Sequence, residues 1–228
     1  MGEIVEFASN GSTGHGYLAP ASSGAGPGVI VIQEWWGLVP HIHDVCDRLA
    51  AEGITALAPD LYRGEQTTEP DEAGKLMMAL NIDEAADHMS GAVDFLGASE
   101  HVHGDEVGVV GFCMGGGLAL VLGCHRPDKV KAVVPFYGLI PWAHAQPDYS
   151  KLSGPVQGHY AENDGMFGPE AVAELDRTLT DAEVEHELFS YPGTDHAFFN
   201  DTRPEVYDAE AAHTAWVRTL DFFRMHLG

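Results

Sequence analysis

A cysteine held between glycines is the residue of this chain best suited to covalent chemistry. The apolar, β-branched run 107–112 ends at Cys113, and residues 114–117 lead into a further apolar stretch. This order predicts a strand, a sharp turn and a helix, with Cys113 in the serine position of the strained G-x-S-x-G turn. The positive end of the helix would stabilise a thiolate, the form of cysteine that attacks carbonyl carbon. The alternative is an unreactive cysteine buried in a tight turn.

An acid and a histidine follow, each after a later apolar run. Segment 155–161 leads to Asp164, and segment 185–191 leads to His196. Loops at the carboxyl ends of parallel strands share one edge of a sheet, so we expect both side chains near Cys113. His196 would carry the proton, while Asp164 would fix its tautomer and stabilise the imidazolium. Taken singly, Asp164 is equally typical of a turn, and His196 is one of 13 histidines.

Glu34 is a further candidate, because it follows the apolar run 29–32. An acid there is costly unless the chain opens into a cleft; a solvated loop acid or a helix cap is the alternative. Trp35 lies in the loop that supplies one oxyanion-hole N–H in folds of this kind, and Met114 supplies the other. Of Trp35 and Trp36, we expect one to line a pocket and one to pack in the core.

The pattern of apolar residues predicts the elements that position these groups. Strands are predicted at 28–32, 54–58, 107–112, 132–138, 154–160 and 185–191. Helices are predicted at 42–52, across 71–99 with a break near Asn81, at 118–123, at 170–181 and at 205–226. Residues 3–19 alternate around Asn10 and Gly11, which predicts a hairpin. The alternation of strands and helices predicts a mostly parallel sheet covered on both faces, in a single domain spanning 1–228.

The composition limits the cellular setting and the partners. The chain has 228 residues, 45% of them hydrophobic, which suits one α/β domain with a substantial core. Three cysteines are too few, and odd in number, for a disulfide framework, so we expect a reducing cytoplasm. The first residues lack the features of a secretory signal, and no apolar stretch is long enough to span a membrane.

The charge balance is strongly acidic. Eleven Lys and Arg against 35 Asp and Glu leave a formal net charge of −24. Such a chain repels nucleic acid and anionic membranes, so neither is an expected partner. The charge indicates either high solubility or a salt-adapted host. We expect a monomer or a small homo-oligomer.

Other residues with chemical potential receive structural interpretations. The pairs His41/His43 and His101/His103 lack further ligands at metal-binding spacing, so we expect solvated loop histidines and no metal. Packing roles are expected for two cysteines and three helical methionines, namely Cys46, Cys124, Met77, Met78 and Met89.

Four segments together resemble the dienelactone hydrolase family, the carboxymethylenebutenolidases, and the resemblance covers nearly the whole chain. They are Gln-Glu-Trp-Trp-Gly-Leu at 33–38, Ala-Pro-Asp-Leu-Tyr at 58–62, Gly-Phe-Cys-Met-Gly-Gly at 111–116, and residues 191–198. The resemblance implies an α/β-hydrolase fold, a triad of Cys113, His196 and Asp164, and a Glu34 that helps to deprotonate the thiol when substrate arrives. Family members open cyclic enol-lactones to keto acids during breakdown of aromatic compounds, without a metal or organic cofactor.

Two arginines are candidates for binding the substrate. The family's carboxylate-binding arginines are expected after the Pro-Asp-Leu-Tyr turn and just beyond the histidine. Arg63 lies in the first region, and the first arginine after His196 is Arg203, in a turn beside Pro204. Either could bind a substrate carboxylate. A small lactone or ester is the expected substrate; a broader carboxylesterase or thioesterase and a non-catalytic ligand-binding scaffold are the alternatives.

Overall fold

The computed structural model describes residues 2–9, 11–142 and 145–228, and it is organised around an eight-stranded sheet. The strands are β1 (Glu3–Ser9), β2 (Ser12–Ala19), β3 (Gly26–Ile32), β4 (Thr55–Pro59), β5 (Val102–Phe112), β6 (Val130–Phe136), β7 (Val156–Ala161) and β8 (His186–Tyr191). The helices are α1 (Pro40–Ala51), α2 (Pro70–Ala79), α3 (Ile82–Gly97), α4 (Met114–His125), α5 (Pro169–Asp181) and α6 (Ala209–Leu227).

The sheet has the order β1-β2-β4-β3-β5-β6-β7-β8. Strand β2 pairs antiparallel with both β1 and β4, and the pairs from β4 through β8 are parallel. The predicted mostly parallel sheet is therefore confirmed. Because β3, β5, β7 and β8 run in the same direction, the loops that follow them lie at one edge of the sheet, as predicted from the sequence.

Two layers of helices cover the sheet. Alternate residues of β3 divide between them: Val29 and Val31 face the core with α1 and α6, whereas Ile30 and Ile32 face the core with α3, α4 and α5. These four side chains are fully buried. A strand that is buried on both faces has a continuous run of apolar residues, and this run made β3 predictable from the sequence.

The predicted elements are present, with differences at their ends. The break near Asn81 is real, because the Asn81 side chain accepts hydrogen bonds from Asp83 N and Glu84 N and caps α3. Helix α6 begins at Ala209 rather than at 205, since Asp208 caps it by accepting from Ala211 N at 2.9 Å. Strand β5 begins at Val102, five residues before the predicted start, with exposed residues at 103–106 that carry no apolar signal. Gly11 lies in a turn; Asn10 of the predicted hairpin lies outside the described residues.

Candidate active site

The turn between β5 and α4 forces Cys113 into an unusual backbone conformation. Its φ of 56° and ψ of −118° lie in a region that non-glycine residues rarely adopt. Two backbone hydrogen bonds hold it there: Cys113 N donates to Phe136 O at 3.0 Å, and Gly116 N donates to Cys113 O at 2.9 Å. Strain of this kind, held by its surroundings, is typical of a functional turn. The predicted strand, turn and helix around Cys113 are confirmed.

Glycines around the cysteine permit close contact between the helix and the sheet. A Cβ built on Gly115 would lie 2.4 Å from Ile32 O and 2.5 Å from Gln33 O. One on Gly111 would lie 1.9 Å from Gly115 O. All three distances are far below any real Cβ contact, so only glycine fits at these two positions, and the first turn of α4 lies directly against the end of β3.

Asp164 and His196 form a hydrogen-bonded pair. Asp164 follows β7 and His196 follows β8, and His196 Nδ1 lies 2.6 Å from Asp164 Oδ2. The other carboxylate oxygen of the buried Asp164 accepts from Met166 N at 2.8 Å and Phe167 N at 3.0 Å. The acid is thereby fixed in position, and it can fix the imidazole in turn.

The electrostatics of the pair favour a charged imidazole. Burial alone would lower the pKa of His196, but its hydrogen bonds with Asp164 and with the Cys113 sulfur, and the charges of both groups, raise it to about 10. Burial would raise the pKa of Asp164, yet the hydrogen bond and charge of His196 and the two backbone N–H groups lower it overall. The pair therefore favours a protonated imidazole, which lies between the Asp164 carboxylate and the Cys113 sulfur.

Glu34 lies buried in the same cleft. Only 1% of its surface is exposed, and its Oε2 accepts a hydrogen bond from Asn200 Nδ2 at 2.8 Å. Burial raises the pKa of Glu34, and the Asn200 bond with the charges of His196 and Arg203 offsets part of that rise. A carboxyl with a raised pKa is suited to accept a proton near neutral pH.

Two residues of this region were not singled out from the sequence. Asn200, which donates to Glu34, is the last residue of the run Ala-Phe-Phe-Asn after His196. The sequence indicated it only as a polar residue that follows two aromatic ones. Tyr137 is fully buried at the end of β6, with φ 36° and its ring 5.2 Å from that of His196. Its hydroxyl has no hydrogen-bond partner among the described residues, and burial raises its pKa well above the usual value. Nothing in its spacing along the chain indicated this position.

The two residues predicted to supply the oxyanion hole line the cleft beside Cys113. Met114 is the first residue of α4, where backbone N–H groups lack partners within the helix. The Met114 sulfur accepts a hydrogen bond from the Tyr62 hydroxyl at 3.2 Å, which fixes the side chain beside the turn. Trp35 follows Glu34, and its ring meets that of Trp36 edge-on at 4.9 Å. Both tryptophans line the cleft, so neither is only a core residue.

The cleft has a volume of about 490 Å³ and brings together the predicted catalytic residues. Apart from Glu34, Asp164, His196 and Arg203, its described lining is uncharged and mostly apolar: Trp35, Trp36, Met77, Leu80, Ile82, Cys113, Met114, Leu118, Leu139, Ile140, Pro141, Trp142, Gly165, Met166, Phe167 and Ala197. Such a lining suits an organic substrate of low polarity.

The two candidate arginines lie in different places. Arg203 lines the cleft, with its guanidinium 5.9 Å from the Trp36 ring and its Nε 2.9 Å from Glu205 Oε1. Arg63, also predicted to bind substrate, lies outside this cleft and lines a separate cavity of about 460 Å³. The reason is the turn after β4: Asp60 accepts from Tyr62 N and Gly64 N, and Arg63 has a φ of 55°.

The positions of His41 and His43 differ from the prediction. His41 and His43 lie in α1 rather than in a solvated loop, because Pro40 starts the helix earlier than predicted, and His41 is buried. Cys46, Cys124 and Met89 are buried, as expected for packing residues.

Two methionines depart from a packing role. Met77 lines the cleft, and Met78 is 68% exposed. Two further findings hold for the described ranges: no cluster of His, Cys, Asp and Glu there could hold a metal ion, and no helix there could cross a bilayer.

A family model and the sequences of known proteins point to the same family. A family model described as "Dienelactone hydrolase family" matches residues 15–227. "Protein usf" from Aquifex pyrophilus is 39% identical over 233 residues, and a "Putative carboxymethylenebutenolidase" from Aquifex aeolicus is 36% identical over 233 residues; both alignments cover 100% of each chain.

The fold of a solved structure agrees. The crystal structure of a "Putative Dienelactone Hydrolase" from Klebsiella pneumoniae is 28% identical, with a TM-score of 0.88 over 99% of this chain and 100% of that one. The predicted α/β-hydrolase fold is thus confirmed, with the Cys113 turn and the cleft at the expected edge of the sheet. This chain is a hydrolase that belongs to the dienelactone hydrolase family.

Proposed function

We propose that this hydrolase opens small enol-lactones and cleaves activated esters through an acyl-thioester on Cys113. The observation that carries the proposal is the cleft in which Cys113, Glu34 and the His196–Asp164 pair lie together. The relative from Aquifex aeolicus that is named for carboxymethylenebutenolidase activity supports a lactone among the substrates.

The first half of the reaction forms the thioester. Glu34 accepts the thiol proton when substrate arrives, and the Cys113 thiolate attacks the carbonyl carbon. Backbone N–H groups of Trp35 and Met114 stabilise the oxyanion of the tetrahedral adduct. The adduct collapses, the C–O bond to the leaving group breaks, and the His196 imidazolium donates its proton to the departing oxygen. For an enol-lactone this product becomes a ketone.

The second half releases the acid. His196, now neutral, takes a proton from water, and the hydroxide attacks the thioester carbonyl. Collapse of this second adduct breaks the C–S bond and returns the Cys113 thiolate, while Asp164 stabilises the re-formed imidazolium. Glu34 returns its proton to the sulfur, which restores the starting state.

The nucleophile itself restricts the substrates. A thiolate is a good leaving group, so its tetrahedral adduct reverts to substrate unless the other leaving group is equally good. An enol-lactone or an aryl ester releases a stabilised anion, whereas an amide releases a poor amine. The proposed substrates are therefore activated esters and lactones rather than peptides.

A broader carboxylesterase or thioesterase is the second candidate, and one observation favours it. Among its described lining residues the cleft contains one arginine, Arg203, and no lysine, and that arginine already pairs with Glu205. A compact anionic lactone gains little from so apolar a lining, whereas an uncharged ester gains much. A scaffold that binds ligands without turnover would not need an imidazolium beside a sulfur.

Turnover of p-nitrophenyl acetate and of a dienelactone, each by wild type and Cys113→Ala, tests the proposal. We expect both substrates to be hydrolysed by wild type and the variant to lose at least about 100-fold in kcat/KM. Mass spectrometry of acid-quenched wild type should detect the acyl adduct on Cys113. Equal rates for the two proteins would reject the cysteine mechanism, and an inert dienelactone beside rapid aryl-ester turnover would favour the broader esterase.

A further inference from the structure

One wall of the cleft is apolar, and its residues lie on one side of the sheet. The corner between α2 and α3 supplies Met77, Leu80 and Ile82, and the segment after β6 supplies Ile140 and Trp142. Apart from Met77, these side chains pack on the same core as Met114 and Leu118. The wall is therefore continuous with the helix side of the Cys113 turn.

The ring of His196 lies against residues that do not belong to this wall. The His196 ring contacts Tyr137 at 5.2 Å and Phe167 at 6.5 Å between ring centroids. Because His196 must protonate the leaving group, the alcohol portion of an ester lies against that ring. The apolar wall, which packs with Met114 and not with the His196 ring, is then left for the acyl portion.

The four residues Met77, Leu80, Ile82 and Trp142 have a second exposed side. They also line a neighbouring groove of about 520 Å³, which is bounded by Val121 and by residues 145–147. These four residues, which we name the acyl partition, therefore separate the cleft from the groove. Met77 is the most adaptable of them, because its side chain is unbranched and flexible.

We propose that the apolar wall binds an unbranched apolar acyl chain, and that the acyl partition limits the length of chain that the cleft accepts. This inference rests on the function proposed above, since it places the acyl half of that reaction. The described residues of the wall carry no charge, so a carboxylate on the acyl chain finds no partner there. Each methylene that enters the wall instead loses its contact with water, which is worth about fourfold in kcat/KM.

A series of p-nitrophenyl esters from acetate to decanoate, at constant leaving group, tests the inference in the full chain. We expect kcat/KM of wild type to rise about fourfold per methylene up to a maximum and then to fall. Met77→Ala should move the maximum to longer chains, because it opens the partition into the groove. Met77→Trp should move the maximum to shorter chains, so the proposal stays testable even if one variant folds poorly.

Met78→Ala is the matched control. Met78 neighbours Met77 in α2, is 68% exposed, and lines the groove but not the cleft. Its variant should keep the wild-type maximum. A profile that falls from acetate onward, or a maximum moved equally by Met77→Ala and Met78→Ala, would overturn the inference while Cys113-dependent turnover persists. Loss of that dependence for every ester would overturn the proposed function instead.

Discussion

At the level of single residues, the His196–Asp164 pair links the candidate active site to the stability of the fold. The pKa of His196 is raised from 6.5 to about 10, so its contribution to stability is complete below pH 6.5 and is lost as the pH rises toward 10. The pKa of Asp164 is lowered from 3.8, so its contribution is present above pH 3.8 and is lost on acidification. The pair therefore stabilises the fold most between about pH 3.8 and pH 6.5.

Asp164→Asn tests this dependence. The side-chain oxygen of the introduced asparagine would still accept from Met166 N and Phe167 N, so the loop keeps its bonds while the charge is removed. We expect the free energy of unfolding to fall by about 2 kcal/mol at pH 5.5, less than for a fully buried pair because His196 is partly exposed. At pH 9.5 the loss should be smaller, as urea titrations at both pH values would show.

The control for this variant is Asp176→Asn. Asp176 Oδ1 lies 3.2 Å from His186 Nε2, but its side chain is 60% exposed. Exposed pairs contribute little, so its loss should change the free energy of unfolding by less than about 0.5 kcal/mol. An Asp164→Asn effect of the same size at both pH values would contradict the linkage.

Asn200 offers a test of Glu34. Replacement of Asn200 by Leu removes the donor to Glu34 Oε2, leaving burial to raise the pKa of Glu34 further. A larger fraction of Glu34 is then protonated at a given pH, and the protonated form cannot accept the thiol proton in the proposed mechanism. We expect kcat/KM to fall by up to about tenfold, from a bond worth about 1.4 kcal/mol, and the loss to shrink as the pH rises.

The pH–rate profile of Thr202→Val is the comparison for that experiment. The Thr202 hydroxyl donates to Asn200 Oδ1, on the side of the amide away from Glu34. Its removal should leave the profile as in wild type. A uniform loss of activity in Asn200→Leu at every pH would indicate a structural role for Asn200 rather than control of the Glu34 proton.

Residue types and strand ends were sufficient to predict that Cys113, His196, Asp164 and Glu34 lie together, since the loops that follow parallel strands meet at one edge of the sheet. The neighbours that tune them were not predictable in this way. Asn200 matters because burial brings its amide to Glu34, and spacing along the chain carries no record of that contact. Arg63 and Arg203 both lie in irregular loops, where local backbone turns decide the direction of the chain.

At the level of elements, the Cys113 turn depends on contact between α4 and β3. Gly115→Ala would bring a Cβ to 2.4 Å from Ile32 O, and a backbone carbonyl cannot rotate away as a side chain can. We expect a loss of at least about 3 kcal/mol in the free energy of unfolding, or failure to accumulate folded protein. Thermal unfolding of the purified variant measures it.

Gly74→Ala is the matched change in a helix without such contact. A Cβ at Gly74 meets nothing within 4 Å, and Gly74 lies inside α2. Alanine is the better helix former, so this variant should be more stable by up to about 1 kcal/mol. Equal effects of the two substitutions would show that the contact between α4 and β3 is not close in solution.

The strands and helices differ in how well the pattern of apolar residues predicts them. Strand β3 was predictable because both its faces are buried, which leaves an uninterrupted apolar run. The first part of β5 is exposed and carries no such run, so its start was missed. Helix α6 was predicted too long, because the cap at Asp208 depends on one side-chain hydrogen bond that competes with continued helical periodicity.

For the whole molecule, the dominant property is the net charge of −24. Salt has two opposed effects on such a protein. It weakens surface ion pairs such as Arg224–Glu52, at 2.8 Å, but each exposed pair is worth only about 0–1 kcal/mol. It also screens the mutual repulsion of a large excess of carboxylates, which opposes the compact state. The excess of negative charge makes the second effect the larger.

We therefore expect the thermal unfolding midpoint at pH 7.5 to rise by about 4 °C between 10 mM and 0.5 M NaCl, as the screening length falls from about 30 Å to a few ångströms. The control is the same pair of salt concentrations near pH 4.6, the isoelectric point, where there is no net charge to screen and the rise should disappear. A midpoint at pH 7.5 that stays constant or falls with salt would reject both the repulsion argument and adaptation to a saline host. A rise of equal size at both pH values would instead indicate a general salting-out of apolar surface, unrelated to the charge of this chain.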